Sequence, residues 1–309
     1  MKNLNKIWIT GSNGMVGKAI IKNLASKKKY TILKTTRKDF DQTNQMETAK
    51  WIKKNKPNTI IITSALVGGI HANDKFSADF LYNNSIINLN IINSGLKNNC
   101  SKIIFLGASC MYPVASKQPF KETSILDGKV ESTNEGYAIS KILGLKYLEM
   151  INKQHNKKYI SVIPAASYGP NDNYDESQNH VIPALIKKFH NAKINTLKSV
   201  KLWGSGNAKR EFIHVDDMAN GIIHILEKYN AKNGPINLGS GEEVTIKKLA
   251  EIISNTVGYK GKIIFDKSKP DGVKRKILNS QKIKKLLFGK NIKLKDGIKL
   301  TYVDYLDNL

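Results

Sequence analysis

Three observations predict an α/β protein: a Rossmann-type, doubly wound parallel sheet with a smaller α/β substrate-binding region beside it. Apolar, strand-like runs alternate with helical stretches through the first half of the chain. A glycine-rich turn joins the first strand to the first helix. After about residue 165 the alternation gives way to shorter, turn-rich segments. Residues 1–165 are thus expected to bind a dinucleotide and 166–309 to form the substrate-binding region, with strands crossing between the two.

Residues 7–10, Ile-Trp-Ile-Thr, read as a short buried strand. Gly11-Ser12-Asn13-Gly14-Met15-Val16-Gly17 follows at once, and a helical pattern runs on to about Leu24. Strand, glycine turn and helix are the context that a dinucleotide fingerprint requires. The glycines permit a tight turn and a close approach of backbone to pyrophosphate, and the helix N-terminus then faces the phosphates. Gly11, Asn13, Gly14, Met15, Val16 and Gly17 are therefore candidate cofactor residues. The next strand, about 30–35, ends in Thr36-Arg37-Lys38, with Asp39 only afterwards. An acid there would hold a ribose 2′-hydroxyl, whereas a cation suits a 2′-phosphate. Arg37 makes NADP the expected cofactor.

Residues 48–55 read as a short helix, and the apolar run 59–63 suits a strand buried on both faces. A Gly-Gly loop at 67–73 then lies at the carboxyl edge of the sheet, where ligands bind. A long helix covers 78–96, a fourth strand 102–106 and a fifth 159–164. Between the last two, Glu135-Gly136-Tyr137-Ala138-Ile139-Ser140-Lys141 opens a helix to about Gln154. In that helix Tyr137 and Lys141 share one face, a turn apart. An ammonium beside a phenol lowers the phenol's pKa, and such a phenol exchanges a proton with a carbonyl oxygen near neutral pH.

Beyond residue 165, 168–173 is turn-rich and His180 begins a helix carrying Lys187 and Lys188. Residues 203–206, Trp-Gly-Ser-Gly, form a tight turn. Residues 210–217 are a strand leading to a helix capped by an aspartate, 236–239 a strand, 245–257 a helix, and 269–272 a turn before Lys274, Arg275 and Lys276.

The formal net charge of the 309 residues is +25. The lysines are scattered, with no basic block or arm, so no nucleic-acid partner is expected. Only Arg37, Arg210 and Arg275 are arginines among 50 basic residues, which suggests places needing a planar fork. No run of about 18 apolar residues marks a membrane span, and no signal region is apparent. Two cysteines, Cys100 and Cys110, do not make a disulfide framework, so a reducing cytoplasm is the expected location. No metal is expected.

The order of motifs resembles the extended short-chain dehydrogenase/reductase superfamily and, within it, the GDP-L-fucose synthase family, over about the whole chain. The resemblance is carried by GMVG at 14–17, VGGI-x-AN at 67–73, ADF-x-Y-x-N at 78–84 and SC-x-YP at 109–113. It continues in TNE-x-YAI-x-K at 133–141, YGP-x-DN at 168–173, HVIPAL at 180–185, WG-x-G at 203–206, REF-x-x-VDD at 210–217 and KPDG at 269–272. It implies NADPH-dependent epimerisation at C3 and C5 and reduction at C4 of GDP-4-keto-6-deoxy-mannose to GDP-L-fucose, by a homodimer. It also implies that Tyr137 gives a proton to the C4 oxygen while Lys141 binds the nicotinamide ribose and tunes Tyr137. Cys110 and His180 match the pair that inverts C3 and C5, with His180 also near the cofactor. Arg210, Lys188, Trp203, Arg275 and Lys276 match the GDP-binding and substrate-binding region.

Three positions depart from the family pattern. Gly-Ser-Ser-Cys reads Gly107-Ala108-Ser109-Cys110, so either Ser109 substitutes for the catalytic serine through a shift of the loop, or that hydrogen bond is missing. An asparagine facing the sugar is replaced by Ala166, and a lysine before the Gly-Gly loop by Leu66. Two further readings therefore stay open: a reductase or epimerase on another GDP-linked deoxy sugar without 3,5-epimerisation, and a non-catalytic NADP-binding protein.

Overall fold

Alternating apolar runs and helices build the first half of the chain as a walk across one sheet. In order come β1 (Asn5–Ile9), α1 (Met15–Ala25), β2 (Tyr30–Lys34), α2 (Gln45–Asn55), β3 (Thr59–Ile62), α3 (Ile70–Lys75), α4 (Ser77–Lys97), β4 (Lys102–Leu106), α5 (Glu135–His155) and β5 (Ile160–Pro164). The second half runs β6 (Ala166–Tyr168), α6 (Val181–Ile194), β7 (Ser199–Trp203), β8 (Lys209–His214), α7 (Val215–Lys228), β9 (Ile236–Leu238), β10 (Glu243–Thr245), α8 (Ile246–Val257), β11 (Lys262–Asp266), β12 (Arg275–Lys276), α9 (Gln281–Lys284) and α10 (Leu294–Asp307). The computed structural model describes residues 5–175, 180–229, 234–269, 271–284 and 291–309. Pro270, part of the turn expected at 269–272, lies outside them.

The main sheet is parallel and ordered β2-β1-β3-β4-β5-β9. The order reverses direction at β1, and a ligand crevice opens there, beyond the carboxyl ends of β1 and β3. Every residue of β3 is buried, as its unbroken Thr-Ile-Ile-Ile run requires with helices on both faces. The sheet takes its last strand, β9, from the second half of the chain, and α7 packs into the same core through Met218, Ile222 and Ile225. The rest of the second half has its own core, centred on Ile186, Phe189, Leu249, Ile253 and Ile298. Around it lie a four-stranded arrangement, in which β8 pairs with β10, β12 and β6, and the two-stranded pair β7–β11.

Three local expectations are corrected. The second helix starts at Gln45 rather than residue 48, because the Asn44 side chain accepts from the backbone N–H groups of Met46 and Glu47. No aspartate caps α7. His214 takes that place, its Nδ1 accepting from the Asp216 N–H at 3.3 Å, while the Asp217 carboxylate accepts from the Ile292 N–H at 2.7 Å. The turn-rich segment expected over 168–173 starts one residue later, because Tyr168 ends β6, which pairs with β8.

Glycines inside α5 set how that helix sits. A Cβ at Gly136 would lie 2.2 Å from the Ser77 carbonyl oxygen, and one at Gly144 would lie 2.6 Å from the Phe105 ring. A helix-interior glycine costs about 1 kcal/mol relative to alanine. Here the cost is offset by letting α5 lie flat on β4 and on the start of α4, which brings Lys141 over the end of β4.

Candidate active site

One cleft of about 2110 Å³ runs from the glycine turn across the carboxyl edge of the sheet to the second core. Gly11 to Gly17 line one end. Gly11 has φ +61, and a Cβ there would meet the Ser64 backbone at 2.9 Å. A Cβ on Gly17 would fall 2.3 Å from the Gly11 carbonyl oxygen. The turn therefore closes only with glycine at both places, leaving a backbone cradle at the N-terminus of α1 that fits a diphosphate.

At the mouth beside β2, Arg37 and Lys38 are exposed and line the cleft. Asp39 is turned to another use: its Oδ2 accepts from the Thr36 N–H at 2.6 Å and the Thr36 hydroxyl at 2.9 Å. Those bonds hold its carboxyl below the usual range. The acid is committed to the turn and the two cations are left lining the cleft mouth, a charge that fits a 2′-phosphate.

Tyr137, Lys141, Cys110, Ser109 and His180 all line the middle of this cleft. Lys141 is 3% exposed. Its Nζ donates to the Leu106 carbonyl at 3.0 Å and stands 5.6 Å from the centre of the Tyr137 ring. The Phe80 ring meets Tyr137 edge-on at 6.4 Å. Burial pushes the Lys141 ammonium down to about 8. Burial, then the adjacent Cys110, push the Tyr137 phenol well above its ordinary value. The expected lowering of the tyrosine by its lysine is thus overturned: desolvation outweighs the ammonium, which is directed at the Leu106 carbonyl. A phenol that keeps its proton is a donor at neutral pH.

Cys110 sits in a helical turn over 109–111, buried, its thiol pushed up to about 11 by desolvation against the opposing pull of Lys276 and Lys141. Ser109, in the same turn, is half-buried, and Ala108 beside it also lines the cleft. Cys100 is elsewhere: it lies in the main core, its thiol donating to the Pro57 carbonyl at 3.1 Å. His180 is the first residue before α6 and makes no capping bond with its side chain.

Lys188, Trp203, Arg210 and Lys276 line the far end. The Lys188 Nζ donates to the Lys201 carbonyl at 2.6 Å. Trp203 is 72% exposed, with the Lys269 ammonium 5.9 Å from its ring centre. Arg210 Nη1 donates to the Lys209 and Val273 carbonyls at 2.9 and 2.6 Å. Arg275 is not brought to this wall: its Nε donates to Glu243, and it does not line the cleft. Sequence reasoning passed over Glu131, which lines the cleft and accepts from Lys276 Nζ at 3.0 Å. It also passed over Asp271, which accepts from the Ser205 N–H and hydroxyl at 2.7 and 2.6 Å and so shapes the loop after Trp203. Asp271 stood within a quoted motif, whereas nothing in the sequence links Glu131 to a lysine 145 positions away.

The NAD dependent epimerase/dehydratase family matches the chain over residues 7–239. A GDP-L-fucose synthase of Sinorhizobium fredii is 41% identical over 304 residues, covering 98% of this chain and 96% of that protein. The crystal structure of a GDP-6-OMe-4-keto-L-xylo-heptose reductase from C. jejuni is similar with a TM-score of 0.93 and 32% identity, covering 100% of this chain and 99% of that one. A GDP-mannoheptose C4 reductase from Campylobacter jejuni, solved with NADP bound, has a TM-score of 0.89 and 32% identity, covering 99% of each chain. The chain belongs to the NAD dependent epimerase/dehydratase family, within which it stands with the GDP-L-fucose synthases.

Proposed function

We propose that this protein carries out NADPH-dependent epimerisation at C3 and C5 and reduction at C4 of GDP-4-keto-6-deoxy-mannose, giving GDP-L-fucose. The observation that carries this reading is the single cleft. It joins the glycine cradle and Arg37 to Tyr137, Cys110 and His180, and then to Lys188, Trp203 and Arg210. NADPH bound along the cradle supplies the hydride for C4. Tyr137 gives its proton to the C4 oxygen, and Lys141 stabilises the phenolate left behind. Before that, protons beside the C4 ketone are acidic, because the carbanion formed is an enolate whose oxygen the Tyr137 hydroxyl can hold. Cys110 and His180, on different segments, take a proton from one face of the ring and return one to the other. Lys188 and Arg210 attract the diphosphate, and Trp203 offers an exposed ring to the guanine.

Incubating the protein with NADPH and GDP-4-keto-6-deoxy-mannose is expected to consume the cofactor. The proposal fails if folded, NADPH-binding protein leaves it unchanged. A second reading, C4 reduction of another GDP-linked sugar without epimerisation, is favoured by the apolar Ala108 and Ala166 in the cleft wall. The configuration of the product at C3 and C5 separates the two.

The reading extends to assembly. Leu81, Tyr82, Ile139, Leu143 and Met150 are exposed on α4 and α5, which pack against each other. A second copy of the chain is expected to cover them, forming a homodimer in the cytoplasm. Light scattering of wild type and Tyr82→Glu tests this, with dimer and monomer as the respective expected masses.

A further inference from the structure

The loop between β6 and α6 contains a carboxylate that the reaction just proposed does not use. Asp172 lines the cleft, yet its side chain is only 4% exposed. Its Oδ1 accepts from the Asn173 N–H at 2.8 Å. Its Oδ2 is buried and has no hydrogen-bond partner among the described residues. An unpaired buried carboxylate oxygen is costly, so its retention calls for an explanation in the chemistry nearby. The group beside it is His180, whose Nδ1 stands 4.0 Å from Asp172 Oδ1.

One feature holds the carboxylate in place, and another leaves the imidazole able to reach it. The preceding residue, Asn171, is pinned from both sides. Lys18 Nζ on α1 donates to its Oδ1 at 2.6 Å, and its own N–H donates to Asp304 Oδ2 on α10 at 2.7 Å. The loop bearing Asp172 is thus tied to the helix of the glycine cradle and to the last helix at once. His180, in turn, has an extended backbone (φ −84, ψ 172) and no capping duty for its ring, whose side chain is 51% exposed. Nδ1 stands 4.0 Å from the carboxylate, longer than a hydrogen bond, and catalytic pairs of this kind tighten when substrate binds.

We infer that Asp172 is a positioning residue for His180, holding the proton on Nδ1 so that Nε2 faces the sugar. The tautomer of a histidine is set by the partner of its other nitrogen, and a carboxylate accepts a hydrogen bond from a protonated Nδ1. This rests on the reading of His180 as one member of the epimerising pair. In each inversion one C–H proton leaves to one member, and its electron pair moves to the C4 oxygen. The other member then gives a proton to the opposite face of that carbon as the pair returns to the carbonyl. His180 Nε2 loses or gains one proton, Cys110 gains or loses the matching one, and the other ring proton stays on Nδ1, hydrogen-bonded to Asp172.

The test compares two rates in the same sample, so that any loss of folded protein cancels. The first is deuterium uptake from D₂O at C3 and C5 of GDP-4-keto-6-deoxy-mannose without NADPH. The second is NADPH oxidation with the corresponding 4-keto sugar already epimerised at C3 and C5. General acid–base positions contribute roughly 10²–10⁴-fold, and loss of an orienting partner removes part of that. Asp172→Asn is expected to slow deuterium uptake on the order of 10- to 100-fold relative to reduction. Asp172→Glu is expected to restore much of it, and Asp172→Asn in a His180→Gln background to slow it no further. The inference is overturned if His180→Gln stops uptake while Asp172→Asn leaves the ratio within about twofold of wild type, or if the two substitutions multiply. If His180→Gln itself exchanges like wild type, the role of His180 is wrong and the inference falls with it.

Discussion

The two ends of the cleft are held in different ways. At the cofactor end, the glycine turn joins β1 to α1, and Lys141 is anchored by a buried bond to the Leu106 carbonyl at the end of β4. Its supports are strands of one six-stranded parallel sheet and the 11- and 21-residue helices α1 and α5 packed on it. At the end proposed to hold the sugar nucleotide, Trp203, Arg210 and Lys276 sit on strands of five, six and two residues outside that sheet, and His180 and Asp172 border a loop between the two ends. Those supports are side-chain bonds between distant segments, such as Glu131 with Lys276 and Asp271 with Ser205. Hydride and proton transfer need one geometry whatever the sugar, and a rigid sheet supplies it. Recognition of a particular sugar can vary by exchanging residues on the smaller sheets and on loops without disturbing that sheet.

Four experiments break or sharpen this contrast. The largest effect is expected from Tyr137→Phe, which removes the proposed proton donor. NADPH oxidation in single-turnover measurements should fall roughly 10²–10⁴-fold, with NADPH affinity little changed. Next, Gly144→Ala puts a methyl group 2.6 Å from the Phe105 ring. Although alanine favours helix, overpacking is expected to lower stability by about 1–3 kcal/mol, read from urea unfolding, and to reduce reduction by shifting Lys141.

At the other end the effects should be smaller and confined to binding. Lys188→Ala is expected to raise the KM for the GDP-linked substrate about tenfold with kcat nearly unchanged, because a charged hydrogen bond to phosphate contributes roughly 1.5–3 kcal/mol. Lys188→Arg, which offers a planar fork, should retain or tighten binding. The smallest effect concerns Glu227, on the face of α7 beneath the sheet. Burial raises its carboxyl, but bonds from Lys29, Lys27 and Tyr30 outweigh this and hold it at about 2, against 4.5 ordinarily. Its folded pKa is depressed, so its contribution is complete above pH 4.5 and is lost as pH falls towards 2. Removing it with Glu227→Gln should cost about 1 kcal/mol at pH 7 in thermal melts, and progressively less as pH falls through 2.

The same contrast governs how much could be read from the sequence. β1, β3, β4 and β5 were legible because strands buried on both faces are continuous apolar runs, and the glycine turn was legible because it follows one of them. The pair β7 and β11 was not. Each is five residues with exposed polar positions, and they meet across about 60 positions of sequence. The cap of α7 was assigned to an aspartate because Asp216 and Asp217 stand at the right place, but Asp217 is drawn away by the Ile292 N–H, a contact 75 positions distant. Spacing put Lys141 beside Tyr137 correctly, yet only the fold reveals that the ammonium is directed to a carbonyl and that burial dominates both groups. Arg275 was singled out as a rare arginine, and its partner Glu243 became visible only once β10 and β12 were seen flanking β8.

The most direct measurement of the central claim is turnover of GDP-4-keto-6-deoxy-mannose with NADPH in D₂O, with the product resolved by NMR and mass. GDP-L-fucose carrying deuterium at both C3 and C5 is expected, formed with one NADPH consumed per sugar. A C4-reduced product that keeps the starting configuration and protons at C3 and C5 would contradict it.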